Sequence, residues 1–377
     1  MEASSDVAVV GAGVVGCAVS LGLARRGVSI TLLEAESAPG LAASGTNSGI
    51  VHTGFDSTPG ELETELILRS AALRDPVLEA LGLPILRCGA VLRPRDAAEK
   101  AAVRDLASNA QRNGVQVDLS EDGSLSVPGE AVTDPVAYTS ALSAAAQRHG
   151  AELRTSFRVV DVQREGEQLR VEGEGGDAVR CRALINCAGL YADEVARLGG
   201  DESFEIYPRK GEFLVFDPPG DPLEQILLPV PTKRTKGVLV FPTVDGKVIA
   251  GPTAVDGDDK GDWSVRPQAR EEIVPKAAQL LPELEGAEPI ASYAGLRPAG
   301  RGVNYLIGPS GACPGLVNVA AIRSTGLTAS LGIAEHVTGI VAELGIELGP
   351  EAPLEPAPAP PTEGPWWRRV AEYRGAS

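Results

Sequence analysis

Val7-Ala8-Val9-Val10-Gly11-Ala12-Gly13-Val14-Val15-Gly16 is the stretch that decides the fold. Val7 to Val10 is a short, largely β-branched run that suits a buried strand, and Gly11, Gly13 and Gly16 follow at the spacing of a tight turn that lets a ligand approach the backbone. Val14 to Arg26 then reads as a helix, Gly27 stops it, and Val28 to Leu33 is a second strand. The result is a βαβ unit whose helix N-terminus turns N–H groups toward a pyrophosphate. Glu34 ends the second strand 18 residues after Gly16, where a carboxylate can accept both hydroxyls of an adenosine ribose and would repel a 2′-phosphate. A glycine-rich packing turn would explain the three glycines alone, but strand, helix and acid together point to a bound dinucleotide. NAD and FAD both remain open at this point.

The same segment is expected to be a buried strand, turn and helix, not a membrane helix. Val7 to Ala24 is 18 residues without a charge, the length at which a spanning helix becomes a candidate. The preceding Met1 to Asp6 is acidic where a signal peptide needs positive charge, and four glycines interrupt the run, so neither a signal peptide nor an integral membrane segment is expected. At about 150 residues per domain, 377 residues are two to three domains' worth of chain. The 34 basic and 51 acidic residues leave a formal charge of −17, which repels phosphate backbones and excludes nucleic acid as a partner. Five widely spaced cysteines with no C-x-x-C pair suggest neither a disulfide framework nor a metal site, and a reducing cytoplasm is expected.

Beyond the βαβ unit, Glu61 to Leu81 has helical spacing broken at Asp75-Pro76, which predicts two helices. Asp96 to Arg112 and the stretch from Asp134-Pro135 to His149-Gly150 read as further helices. Arg182 to Ala188 has the apolar density of a parallel strand and returns to the first sheet. GEFLVFD, KGVLVFPT and GKVIAGPT alternate as strands of a second, antiparallel sheet between Tyr207 and Thr253. Gly326 to Leu344 is a helix with Ser324 and Thr325 as cap candidates. The expected organisation is α/β (α+β overall), with a discontinuous Rossmann-like nucleotide-binding domain over 1–85, 130–205 and 290–346 and a mixed or antiparallel-sheet substrate domain over 86–129 and 206–289. The proline-rich 347–377 is expected to be a mobile tail, with Trp366 and Trp367 as a local docking point.

Several residues have the chemistry for a redox site. The loop Ala42 to Gly49, with Ser44, Gly45, Asn47, Ser48 and Gly49, offers hydroxyls, an amide and open backbone to a cofactor running from ribose to ring. His52 in IVHTGF can take the proton of a hydroxyl as its carbon is oxidised, or be a satisfied structural histidine. Arg297 ends the apolar YAGLRP, where its guanidinium can hold a carboxylate or phosphate in two bonds or enter a structural ion pair. Arg323 to Thr328 introduce a helix whose positive end would stabilise an anionic reduced ring, although an ordinary capped helix has the same letters. Lys210 is a lone cation able to steer substrate or oxygen, or a surface charge. Lys233, Arg234 and Lys236 form the densest basic cluster and could attract an anion, or be a solvated loop.

Taken together, VAVVGAGVVG, Glu34, SGTNSGIVHTGF, INCAGLYAD, YAGLRP and IRSTGLTAS resemble the D-amino-acid-oxidase-like superfamily of FAD-dependent oxidoreductases over residues 6–345. NSGIVHTGF and KGVLVFPTVDGKVIAGPT are most similar to its branch of glycerol-3-phosphate dehydrogenases and L-2-hydroxyglutarate oxidases or dehydrogenases. The resemblance implies noncovalent FAD, a second domain over the isoalloxazine, and hydride transfer from a substrate carbon to flavin N5. It gives Arg297 the substrate anion, His52 a place close to the ring, and Gly326, Leu327 and Thr328 the pyrimidine end. The implied cofactor shell also takes in Gly11, Gly13, Val14, Val15, Gly16, Glu34, Ala35, Val159, Ala188, Gly189 and Thr325, and Lys210 and Arg323 join Arg297 and His52 around the substrate. By position, His52 could also tether the flavin.

The expected function is therefore oxidation of a small anionic secondary alcohol, a 2-hydroxy acid such as L-2-hydroxyglutarate or glycerol 3-phosphate, to the ketone. Oxygen, a quinone or another carrier would accept the electrons. An amino-acid or secondary-amine oxidase is the alternative within the same superfamily. An NAD-dependent dehydrogenase and a nucleotide-binding module without catalysis are the alternatives of other classes.

Overall fold

In the computed structural model, residues 3–231, 237–356 and 364–373 are described. Five parallel strands form the centre of an eight-stranded sheet, in the order Leu316–Ala320, Ala178–Asn186, Ala3–Val10, Ile30–Leu33, Glu152–Arg154. Val10 lies opposite both Leu33 and Asn186, so the strands' carboxyl ends are level where the glycine turn begins. In open parallel sheets that edge is where ligands bind. The helices Val14–Ala24, Pro135–Arg148 and Gly326–Glu343 pack together on one face, with Leu23, Leu142 and Ile333 wholly buried among them.

A nine-stranded mixed sheet makes the second layer. Its spine is the antiparallel pair Ile206–Phe216 and Ala291–Gly300, matched from Ile206↔Gly300 to Val215↔Ala291. The strand Ala291–Gly300, which the sequence assigns to the nucleotide-binding domain, thus pairs in the other sheet. A third, three-stranded sheet joins Ile50–Val51, Ala131–Thr133 and Ile85–Leu86.

Two further expectations are corrected. The break at Pro76 is absent, and one helix spans Leu62–Ala80. Proline removes one hydrogen bond from the ladder, but Leu78 and Leu81 beyond it are about as deeply buried as Leu66 and Ile67 before it, and that burial outweighs the lost bond. The proline-rich end is docked on both sides of residues 357–363, which lie outside the described residues. Gly349 and Ala352 donate backbone N–H bonds to the Arg26 and Arg25 carbonyls, and Arg25 pairs with Glu351 at 2.7 Å. In the helix Trp366–Tyr373, Trp366 meets Tyr293 edge-on at 5.5 Å and Tyr293 stacks on Phe213 at 4.8 Å. Trp366 and Trp367 are both almost wholly buried, and the apolar area two such rings remove from water is why this helix packs. Among the described residues no helix is long and apolar enough to cross a membrane.

Candidate active site

A cavity of about 390 Å³ opens at the carboxyl ends of the parallel strands, and its shape is set by missing side chains. Gly11 has φ +96°, and a Cβ there would stand 2.5 Å from the Cys187 carbonyl oxygen. A Cβ on Gly16 would be 1.9 Å from the Gly11 oxygen, closing the turn on itself. The helix after Gly13 therefore begins at the cavity wall with its first-turn N–H groups facing in. One of them, that of Val14, donates to Ser44 Oγ at 2.9 Å, which ties the second loop to the first.

Glu34 Oε2 accepts the Ala12 N–H at 2.6 Å and Oε1 accepts the Glu36 N–H at 2.8 Å. Burial pushes its carboxyl above the ordinary range, against the pull of these two bonds. Each oxygen keeps a lone pair for the cavity that Glu34 lines, which suits a ribose diol. An open backbone cradle, a helix N-terminus and a fixed carboxylate at one end thus fit a dinucleotide.

Of the remaining expected cofactor residues, Gly13, Val15, Ala35, Asn47, Val159, Ala188, Gly189, Gly326 and Leu327 also line the cavity, as does Arg323. The others lie behind the wall. Gly45 and Gly49 leave room for the Gly40 and Thr133 carbonyl oxygens, each 2.3 Å from where a Cβ would be. Ser48 Oγ accepts the Ile50 N–H, and Thr328 Oγ1 accepts the His52 N–H at 3.1 Å. Thr325 stands at the N-cap of its helix as expected, but its side chain makes no capping bond; its hydroxyl bonds Glu63 and Tyr305, each at 2.8 Å. Tyr305, Ala321 and Arg323 all adopt left-handed φ between +50° and +56°, and Ala321 and Arg323 line the far end of the cavity. Such strain persists where the surroundings over-determine it, as around a ligand clamp.

His52 and Arg297 stand outside the cavity wall, each next to a part of it. His52 follows the strand Ile50–Val51, which pairs Val51 with Ala131, so the next step of the register sets His52 against Glu130. Nδ1 and Glu130 Oε2 are 2.8 Å apart, and Glu130 is wholly buried. The Arg74 guanidinium donates to the His52 carbonyl at 3.3 Å. Glu130 and Arg74 were not among the expected site residues; a charged letter amid the apolar PGEAVT was the only available signal for the first.

Arg297 precedes Pro298, which lines the cavity. Its guanidinium occupies the space that a Gly211 side chain would take, 2.2 Å from that glycine's ideal Cβ position. It donates to the Thr253 carbonyl at 2.8 Å, and among the described residues no carboxylate pairs with it. Burial and neighbouring Arg209, opposed by Asp256, lower its pKa to about 10. Lys210, by contrast, is committed to Asp262 at 2.6 Å and the Ser264 carbonyl at 3.0 Å, not to the cavity. Lys233, Arg234 and Lys236 lie outside the described residues. His149 is the C-cap of the helix Pro135–Arg148. The five cysteines are unpaired, and burial pushes the Cys181 thiol up to about 12 and Cys17 and Cys187 upward too, which makes these three poor nucleophiles. Among the described residues no cluster of three potential ligands could hold a metal.

Residues 6–340 match the DAO family, described as FAD dependent oxidoreductases, and the chain belongs to that family. The glycerol 3-phosphate dehydrogenase of Caloramator mitchellensis is 29% identical over 360 residues, covering 91% of this chain and 75% of the relative. The L-2-hydroxyglutarate dehydrogenase of Bos taurus is 28% identical over 283 residues, 67% of this chain and 61% of that protein. Among solved structures, the dithionite-reduced L-alpha-glycerophosphate oxidase of Mycoplasma pneumoniae with FAD bound superposes with a TM-score of 0.89 at 26% identity, covering 96% of this chain and all of that one. The glycine oxidase of Geobacillus kaustophilus shares the fold, with a TM-score of 0.79 at 23% identity over 94% of this chain and 99% of that one. The chain is thus an FAD-dependent oxidoreductase, and the cavity with its Gly11 to Gly16 cradle fits a dinucleotide of that kind.

Proposed function

We propose that the protein oxidises a small anionic secondary alcohol to the ketone, with glycerol 3-phosphate as the first candidate and a 2-hydroxy acid as the second. The observation that carries this is Arg297, a half-buried cation with a backbone carbonyl as its hydrogen-bond partner, on the strand whose Pro298 lines the cavity. Withdrawing a guanidinium from water with no carboxylate paired to it costs free energy that an incoming anion would recover. The glycerol 3-phosphate and L-2-hydroxyglutarate named in the relatives supply such an anion beside a secondary hydroxyl.

Bound FAD supplies the hydride acceptor. Arg297 holds the substrate's anion and so fixes which carbon faces the ring. His52 Nε2 accepts the hydroxyl proton as the C–H bond breaks with its electron pair, leaving a ketone and an imidazolium beside the Glu130 carboxylate. The N-terminus of the helix Gly326–Glu343 favours the negative charge that reduction brings to the cavity. Five unpaired thiols are in keeping with a reducing compartment, and we place the protein in the cytoplasm.

Anaerobic mixing with glycerol 3-phosphate, L-2-hydroxyglutarate, sarcosine and several amino acids, read at the visible flavin band, tests this directly. Rapid bleaching by one hydroxylated anion is expected, and readmitted air then separates oxygen from a quinone or another carrier as acceptor. Bleaching by amines alone would overturn the alcohol assignment.

A further inference from the structure

We infer that Glu130 is a positioning residue, which sets the tautomer and aim of His52 for proton transfer; this rests on the alcohol-oxidising function proposed above. The carboxylate is completely buried. Oε1 accepts both the Thr53 N–H at 2.7 Å and the Thr53 hydroxyl at 2.9 Å, and Oε2 faces His52 Nδ1 at 2.8 Å. A carboxylate in this setting has only lone pairs to offer, so Nδ1 must carry the proton and Nε2 the lone pair.

The main chain that carries the imidazole is held on both sides of the residue. Thr328 Oγ1 holds the His52 N–H, and Arg74 holds its carbonyl from the helix Leu62–Ala80. Gly129 is part of the same device, because a Cβ there would stand 2.8 Å from the Thr53 methyl and push Thr53 off the carboxylate. Arg74 is the cation facing Glu130 and attracts it, and the Cys88 thiol lies within its field. A buried charge is a costly way to hold two strands together, since a well-packed apolar pair of similar volume is often neutral or better. The charge is accounted for if it favours the imidazolium formed when the substrate's O–H bond breaks and the Nε2–H bond forms.

The test uses the FAD-bound protein labelled with ¹⁵N in its histidines, the His52 signals being those lost in His52→Gln. At neutral pH the wild type should show a protonated Nδ1 and a lone pair on Nε2. In Glu130→Gln the amide can still accept from Thr53 through its oxygen while its NH₂ donates to Nδ1, so the proton should move to Nε2. Flavin reduction by the active donor should slow about 10²-fold or more in that variant, with a much smaller change in substrate affinity. Added to His52→Gln, the same substitution should cost no further rate.

A wild-type His52 protonated on Nε2 overturns the proposal even if Glu130→Gln does not fold. Equal slowing by Glu130→Gln in the wild-type and His52→Gln backgrounds overturns it too, because the carboxylate would then act on the fold and not through the imidazole. If no hydroxylated anion reduces the flavin, the proposed function fails while the tautomer still decides the role of Glu130.

Discussion

The two ends of the site are built by opposite means. At the nucleotide end the protein withholds side chains: Gly11 and Gly16 leave no room for a Cβ, and the ligand meets helix N–H groups and one carboxylate fixed by backbone bonds. At the end we propose for substrate it spends side chains and charge, in His52 on the buried Glu130 and in Arg297 in the space left by Gly211. On the proposed function, backbone geometry holds the cofactor and side-chain charge selects the molecule it meets, so the first end should fail all at once and the second by degrees.

The largest effect is therefore expected at a glycine. Gly16→Ala places a methyl 1.9 Å from the Gly11 carbonyl oxygen, a backbone atom of the turn itself, which has no rotamer to escape through. The variant should purify without flavin, with the loss read from the visible spectrum. A yellow Gly16→Ala protein with ordinary FAD content would mean that the turn relaxes freely, and the contrast between the two ends would collapse.

Arg297→Met should do the reverse. FAD content should stay near one per chain and thermal stability should hold or rise, because the substitution removes a half-buried guanidinium that has no carboxylate partner among the described residues. Removing a charge-assisted anchor of this kind costs about 1.5–3 kcal/mol, so kcat/KM should fall by about 10–150-fold, mostly through KM. The pH dependence follows from the same burial. A guanidinium whose pKa is lowered to about 10 is cationic below that pH and neutral above it, so the wild-type KM should rise as pH passes about 10. Arg297→Met should lack that limb; its presence there would assign the titration to another group.

The heart of the nucleotide end is legible in the letters because its glycine turn, helix N-terminus and acid all lie between Val7 and Glu34, where spacing alone fixes the chemistry. The substrate end depends on pairings across long stretches of chain, which local letters do not carry. Glu130 faces His52 through a strand register, and nothing within PGEAVT names its partner. YAGLRP reads as an apolar strand in either sheet, and only its match to Ile206–Phe216 assigns it to the second. Pro76 shows only its local cost in the sequence, while the burial of Leu78 and Leu81 that outweighs it belongs to the tertiary structure. Trp366 and Trp367 stand out against the prolines, but the Tyr293 ring that meets Trp366, and the Phe213 ring stacked on it, come from distant strands.

The smallest effect sharpens the contrast within one strand. Lys210 sits between Arg209 and Gly211, so the alternation of a strand turns it to the face opposite the opening that Arg297 occupies. Its ammonium bonds Asp262 and the Ser264 carbonyl, and it holds the Asp262 carboxyl down to about 2. A depressed carboxylate stabilises the fold above its unfolded pKa, and this contribution is lost as pH falls toward about 2, so the pair is intact wherever the enzyme would be assayed. Asp262 is half exposed, which limits the pair to about 1 kcal/mol or less. Lys210→Met should accordingly change kcat/KM by about twofold or less and leave FAD content and the wild-type rise in KM near pH 10 untouched. A loss as large as that of Arg297→Met, with flavin retained, would show that Lys210 leaves Asp262 to meet the substrate. The anion would then be held from both faces of the strand, and the division between a structural cation and a substrate cation would not hold.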